Sequence, residues 1–342
     1  MSQILLSGYY GFNNIGDEAV LGGLLAGFRA ELPDVTPVVL SADPEFTRQL
    51  HGVDAVPRMS RAVLQAELQR TALLISGGGS LLQDVTSFRS PLYYLWVLWE
   101  AQRANVPTMM CAQGVGPLNN PVTRLATRMV LNRMKMATVR DAVSADFLHT
   151  LGVEKPPIEV TADPSFLLTP DASTRLNEWW STHIPANRPV IGVALRHWAA
   201  GKAEEKYTAI ADALAAVAEQ TNALILFIPM QFDADTAISE EMAGWTPAEN
   251  RVLDMKLTPR EMLALVERCD FLVAMRLHAL IFAVHRGTPA FGISYDPKVR
   301  DFSTAANLPT PFVWDDLDTE SLSAALQAHW EKRVSLRATL TT

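Results

Sequence analysis

Arg276 and His278, in the run FLVAMRLHAL, put a guanidinium and an imidazole two residues apart, between an apolar strand-like run and the apolar helical run ALIFAVH. An arginine there can hold an oxyanion with its planar fork, and a histidine beside it can give or take a proton near neutral pH. A hydrogen-bonded core histidine is the structural alternative. Arg140 in VRD, Arg196 in ALRHW and Lys298 in SYDPK follow apolar runs in the same way. A lone arginine after a strand is usually a surface residue. In a chain of formal net charge -8, four cations in equivalent positions read as a local site for a small, highly charged anion.

The glycine-rich loops carry the second signal. In GYYGFNNIGDEAV, residues 8–20, Gly11 and Gly16 have the spacing of a phosphate-binding loop, but Asp17 and Glu18 stand where that loop needs lysine and a hydroxyl. Two carboxylates repel a triphosphate, and Gly8, Gly11 and Gly16 do not form G-x-G-x-x-G, so nucleoside triphosphates and dinucleotides are poor candidates. Asp17 either accepts hydrogen bonds from substrate hydroxyls, or acts as a base, or together with Glu18 caps and charges a helix start. Asn13 and Asn14 either touch a sugar or close the turn. In LLISGGGSLLQD, Gly77, Gly78, Gly79 and Ser80 offer backbone N–H groups to an anion or a sugar at a helix start, beyond what a tight turn requires. Gln113 in QGVGP, Asp163 in ADPSF and Ser294 in SYDPK complete the set.

Elements must hold these residues in place. Short β-branched and Leu-rich runs at 3–7, 36–40, 53–56, 71–76, 107–111, 136–140 and 158–161, then 189–195, 223–229, 252–254, 270–275 and 289–294, alternate with helical patterns. That is the signature of parallel α/β sheets buried on both faces. The stretch 168–188 separates the two series, is flanked by prolines and reads as a hinge. The chain is expected to form two Rossmann-like domains, 1–170 and 171–342, facing a cleft. Gly8, the SGGGS and QGVGP loops, Arg140, Asp163, Arg196, Gln231, Arg276 with His278, and SYDPK each follow the last apolar residue of a predicted strand, where open parallel sheets bind ligands. An interdomain active site is expected.

Composition bounds the function. Of 342 residues, 49% are apolar and 19% charged, which fits packed domains rather than disorder. The acidic balance argues against a nucleic-acid partner. Cys111 and Cys269 lie in apolar strand-like runs without a C-x-x-C or Cys/His spacing, which predicts a reduced, cytoplasmic protein with no metal site. The start MSQILLSGYY lacks a signal-peptide pattern, and no run is long enough to span a membrane.

Together, GYYGFNNIGDEA, SGGGSLLQD, QGVGP, VRD, ADPSF, MRLHALIFA and SYDPKV resemble the polysaccharide pyruvyl transferase family, of the CsaB type. The resemblance runs from about residue 8 to about residue 300. It implies a GT-B-like fold and phosphoenolpyruvate as co-substrate, with no cofactor. It also implies a sugar diol acceptor on a lipid-linked cell-wall polysaccharide precursor, whose pyruvate ketal serves S-layer anchoring. Under that resemblance, the N-terminal domain takes the acceptor and the C-terminal domain phosphoenolpyruvate. His278 is the acid candidate, and Arg140, Arg276 and Lys298 clamp the donor. Arg196 is a weaker member, because ALRHW matches the family less distinctly.

Two rivals share the fold. A nucleotide-sugar glycosyltransferase would place an acidic residue for the donor ribose in the second domain, and no clear arrangement of that kind follows GISYDP. A non-catalytic sugar-binding protein needs no histidine beside clustered arginines. PVTRLATRMVLNRMKMA, with Arg124 and Arg128 four apart, reads as a solvated amphipathic face or as a basic docking face for the cytoplasmic side of the membrane, with Trp96 and Trp99 as possible contributors.

Overall fold

A computed structural model describes residues 2–85, 87–198 and 203–340. The chain divides into two compact units, Met1–Leu168 and Thr169–Thr342. In unit 1 the strands are β1 (Ser2–Ser7), β2 (Val35–Ser41), β3 (Asp54–Pro57), β4 (Thr71–Gly77), β5 (Thr108–Gln113), β6 (Met136–Val139) and β7 (Ile158–Val160). The helices are α1 (Ile15–Glu31), α2 (Pro44–His51), α3 (Arg61–Leu68), α4 (Arg89–Arg103), α5 (Pro121–Leu131) and α6 (Ala142–Thr150). Unit 2 holds α7 (Thr174–His183), β8 (Val190–Ala194), α8 (Ala203–Thr221), β9 (Leu224–Phe227), α9 (Phe232–Trp245), β10 (Asn250–Val252), α10 (Pro259–Glu267) and β11 (Phe271–Ala274). It continues with α11 (Leu277–Arg286), β12 (Ala290–Ser294), α12 (Pro297–Ala305), β13 (Phe312–Val313), α13 (Thr319–Glu331) and α14 (Arg333–Leu340).

Both sheets are parallel and doubly wound. Unit 1 runs β3-β2-β1-β4-β5-β6-β7 and unit 2 runs β10-β9-β8-β11-β12-β13. Strand order therefore reverses between β1 and β4 and again between β8 and β11, and loops leaving adjacent strands in opposite directions open a crevice at each reversal. The strands bracketing each reversal are in register to their ends: Ser7 pairs with Ser76, and Ala194 with Ala274. Leu5, Leu6 and Leu74 in unit 1, and Val193, Leu272 and Val273 in unit 2, are buried at 0–1% exposure, as strands covered on both faces require.

The structure departs from the sequence reading in three places. The stretch expected to be a hinge contains α7, whose Trp179 Nε1 donates to Asp254 at 2.6 Å. Cys269 lies in the turn before β11 rather than in the strand, wholly buried. The edge strand β13 is only two residues long, too short to leave a periodic signal.

Glu261 ties α7 to α10. It completes a capping box with Thr258, accepts the Ser173 hydroxyl at 2.6 Å and Arg175 Nε at 2.7 Å, and forms a second bond to the same guanidinium. Burial works to raise its pKa, but the Arg175, Ser173 and Thr258 bonds outweigh that and pull it down to about 2. A carboxyl depressed in the folded state stabilises fully above its unfolded pKa of about 4.3, and that stabilisation is lost as pH falls toward 2. Glu261→Gln is expected to lower unfolding free energy by roughly 1.5 to 3 kcal/mol at pH 7. In thermal melts the gap from wild type should close between about pH 4.5 and pH 2. A gap that is unchanged at pH 3 would contradict this.

Candidate active site

In unit 1 the chain leaving β1 folds back on itself. The Tyr10 ring sits under Gly8, where a Cβ would fall 2.3 Å from Tyr10 Cζ, and the Tyr10 hydroxyl donates to the Gly77 carbonyl at 2.8 Å. Asn14, not Asp17 or Glu18, caps α1, its side chain accepting Gly16 N–H. Glu18 is buried at 1% exposure, accepts Gly11 N–H at 2.8 Å and pairs with His51 Nε2 at 2.9 Å. The first glycine loop thus satisfies a backbone donor with its own carboxylate, the physical reason its phosphate-loop spacing does not signal a triphosphate.

The second glycine loop is shaped largely by packing. Gly78 has φ +61°, and a Cβ there would lie 1.7 Å from Val20 Cγ1, so only glycine lets β4 turn this close to α1. Gly77 abuts Leu24 and the Tyr10 hydroxyl, while Gly79 faces the Asp17 carboxylate, 2.8 Å from where its Cβ would be. Asp17 is half-buried. Asn13 adopts φ +54° in the turn before α1. Gln113 is fully buried, its Nε2 donating to Ser76 Oγ at 2.6 Å, so its amide braces the loop instead of meeting solvent.

Ser80 and Arg140 do come together. Arg140 Nη2 lies 3.4 Å from Ser80 Oγ, and its guanidinium packs on Gly114, where a Cβ would be 2.5 Å from Nη2. Asp163 and Asp141 carboxylates stand 3.6 and 3.7 Å from the same group. Asp163 also accepts Ser165 N–H, which fixes the ADPSF motif against α1 at Gly23, where the Pro164 carbonyl leaves no room for a Cβ.

In unit 2, β8, β11 and β12 are adjacent and deliver Arg196, Arg276 with His278, and Ser294 with Lys298 to one rim. Arg276 is engaged by Asp235, a carboxylate on α9 that is 1% exposed: Nε donates at 3.0 Å and Nη2 forms a second bond. Asp235 Oδ2 also accepts Gln231 N–H at 2.9 Å. The sequence reading missed Asp235, because an acid three residues into a helix looks like a macrodipole contact. Lys298 Nζ lies 3.2 Å from Asp296 and 5.7 Å from the Tyr295 ring. The Ser294 hydroxyl donates to the Asp296 carbonyl at 3.0 Å, tightening the turn into α12.

Arg196, the weaker candidate from sequence, is the cation of the four with no carboxylate in ion-pair range among the described residues. Its Nη1 donates to the Tyr295 hydroxyl at 3.0 Å, its guanidinium stacks 4.9 Å from Tyr295 and 5.7 Å from Trp198, and its buried Nε has no hydrogen-bond partner among the described residues. Its charge is the least neutralised on this rim. His278 sits in the first turn of α11, half-buried, its ring 6.5 Å from Phe282 edge to face. No cluster of three or more His, Cys, Asp or Glu side chains suited to a metal occurs among the described residues.

The Arg276–Asp235 pair makes Arg276 part of the fold as well as of the rim. Removing one partner of a buried pair strands the other, at a cost of about 3 kcal/mol. Arg276→Ala should lose that much in chemical denaturation. Arg276→Ala with Asp235→Ala should lose less than the sum of the single variants, by about 1 to 3 kcal/mol. Strict additivity would contradict the pairing.

Comparison with known proteins gives a family and a fold. A family model described as polysaccharide pyruvyl transferase matches residues 14–297. The amylovoran biosynthesis protein AmsJ of Erwinia amylovora is 21% identical, across 90% of this chain and 86% of that protein. Among solved structures, the UDP-GlcNAc 2-epimerase of Methanocaldococcus jannaschii aligns with TM-score 0.64 at 10% identity, over 98% of this chain and 92% of that one. A glycosyltransferase from Rickettsia africae aligns with TM-score 0.62 at 11% identity, over 99% and 93%. At such identities the structural likeness speaks for the fold alone, the α/β architecture of GT-B glycosyltransferases and related epimerases. The family match spans most of the sequence, so the chain belongs to the polysaccharide pyruvyl transferase family and is a transferase of polysaccharide biosynthesis.

Proposed function

We propose that the chain transfers the pyruvyl group of phosphoenolpyruvate to two hydroxyls of one sugar, forming a cyclic ketal and releasing phosphate. The observation that carries this reading is the unit 2 rim, where the adjacent strands β8, β11 and β12 lead into Arg196, into Arg276 with His278 on the helix it opens, and into Lys298. Phosphoenolpyruvate presents a carboxylate and a phosphate at opposite ends of a three-carbon enol, so cations from separate strands suit it. A proton added at C3 makes C2 electrophilic. One sugar hydroxyl bonds to C2 and gives up its proton, the C2–O bond to phosphate breaks, and the second hydroxyl closes the ketal, also losing its proton. His278 supplies the C3 proton, and the cations take up charge on the departing phosphate. The Asp235 carboxylate fixes the Arg276 fork before substrate arrives, while Arg196 contributes charge that no carboxylate among the described residues offsets.

Unit 1 takes the acceptor in this reading, with Asp17 and Ser80 at the rim, and Arg140, held beside Ser80 and flanked by Asp141 and Asp163, is reassigned from the donor clamp to this rim. The acceptor is proposed to be a lipid-linked precursor met at the cytoplasmic membrane face. Its polymer is a cell-wall polysaccharide that anchors an S-layer, as the CsaB resemblance implies, or one like the amylovoran in the name of the Erwinia relative. Among the described residues no helix is long and apolar enough to cross a membrane. Helix α5 does present Val122, Leu125 and Met129, each more than half exposed, with exposed Arg128 and with Arg133 and Lys135 just beyond it. Apolar side chains ringed by cations suit an anionic lipid surface. Arg124 is tied to the Leu118 carbonyl and to the Phe147 ring, and Trp96 packs on the core, so neither belongs to that face.

Phosphate release from phosphoenolpyruvate with a lipid-linked disaccharide acceptor tests the reaction. Wild type should release phosphate only when the acceptor is present. His278→Gln should cut kcat at least a hundredfold with donor binding within about threefold, because a proton donor acts mainly in the transition state. Arg196→Ala should cost roughly 2 to 4 kcal/mol in kcat/KM for the donor. Normal turnover in folded His278→Gln removes the acid, and phosphate release without acceptor removes the transferase chemistry. Separately, Leu125→Glu with Met129→Glu should abolish flotation with anionic liposomes while leaving melting unchanged; flotation equal to wild type refutes the docking face.

A further inference from the structure

Arg58 is the first residue after β3, on the same carboxyl-end rim as the other unit 1 residues, and is 8% exposed. Its guanidinium lies 4.2 Å from the Tyr93 ring centre, 5.1 Å from Phe12 and 5.3 Å from Tyr94. No carboxylate among the described residues lies in ion-pair range of it. Among the described residues its one side-chain bond to the backbone is long, 3.5 Å from Nη1 to the carbonyl of Gly8, at the loop beside the strand-order reversal, and the Tyr93 and Tyr94 hydroxyls also approach the guanidinium. A guanidinium carries five N–H donors, and these neutral acceptors leave its charge unmatched.

The aromatic faces do not balance such a charge. Each cation–π contact is worth about 0.5 to 2 kcal/mol, whereas taking an ion out of water costs several. Burial pushes the Tyr94 hydroxyl up to about 12 and raises that of Tyr93, against the opposing pull of Arg58, so neither phenol ionises near neutrality to supply a counter-charge. Arg140 and Arg276 both have carboxylates beside them. Arg58 is nevertheless held firmly. Its backbone N–H donates to the Ser41 carbonyl at 3.0 Å, its own carbonyl accepts the Tyr93 hydroxyl at 2.9 Å, and the same tyrosine ring lies under its guanidinium. A buried, positioned and uncompensated cation at a ligand-binding rim is prepared for an anion.

We propose that Arg58, backed by Tyr93, Tyr94 and Phe12, is an oxyanion subsite of unit 1 that takes a phosphate or carboxylate of the acceptor. Assigning the oxyanion to the acceptor rests on the transferase reading above; the binding itself does not. The two possible sources are a diphosphate linkage and an acidic sugar, and inorganic pyrophosphate and glucuronate serve as their probes.

Arg58→Met keeps the apolar stem against the rings and removes the charge. Replacing a buried unpaired charge by an apolar group of similar volume is neutral or stabilising, so the variant should melt at or above the wild-type temperature. On the full-length chain, calorimetric titration in the presence of saturating phosphoenolpyruvate, to fill the unit 2 rim, should show at least tenfold weaker binding of one probe to Arg58→Met. The probe affected identifies the source. In wild type, the Arg58 Nε–Hε NMR signal, assigned by Arg58→Lys, should shift saturably with that same probe. This second readout needs no stable Met variant. Equal affinity of both probes for wild type and Arg58→Met, or an Arg58 signal that neither moves, overturns the subsite. If the subsite fails while acceptor-dependent phosphate release persists, the transferase reading stands without it. Loss of that release with intact Arg58 binding would have the opposite meaning.

Discussion

The Arg276–Asp235 pair is the interaction on which the unit 2 rim depends. A strand covered on both faces ends in a low-dielectric interior, and an arginine placed immediately after it is drawn partly into that interior. Asp235, projected from α9 at the end of the neighbouring β9–β8 half of the sheet, meets it there and orients the fork. Once Arg276 is fixed, α11 begins at Leu277 and His278 falls in its first turn. The placement of the histidine therefore follows from the neutralised arginine before it. Arg196 and Lys298, reached from the flanking strands and sharing Tyr295, complete the rim.

Unit 1 solves a similar problem differently. Its rim is organised by glycines that let α1 approach β4 and by Glu18, a buried acid that satisfies the loop's own backbone. Donor groups that a nucleotide-binding loop would turn toward phosphate are occupied internally. What remains near the surface is a mixture of hydroxyls, amides and carboxylates, with the cations Arg140 and Arg58 set apart on different strands. That character suits a sugar better than a triphosphate.

Much of this was legible from the sequence. The alternation of apolar runs with helical patterns gave every strand of both sheets but the two-residue β13 to within a few residues, since parallel strands buried on both faces are continuous apolar runs. The position rule for parallel sheets then put every candidate on a carboxyl-end rim. Partners were not legible. Asp235 and Glu18 each sit in the first turn of a helix, where an acid has an adequate local explanation, and only the tertiary fold shows one gripping Arg276 and the other His51 and Gly11. Gly77, Gly78 and Gln113 read as ligand contacts because spacing says nothing of what lies behind a loop. Arg58 escaped notice because VPRMS has no glycine and no companion histidine, and its aromatic neighbours come from residues 12, 93 and 94.

The account stands or falls on carbon–oxygen cleavage at C2 of phosphoenolpyruvate. The direct measurement uses phosphoenolpyruvate labelled with oxygen-18 in the bridge between C2 and phosphorus, with acceptor, in deuterated water. The account predicts that the label leaves entirely in the released phosphate and that the ketal methyl carries one deuterium. Label retained in a pyruvyl product, or a ketal methyl without deuterium, would contradict it.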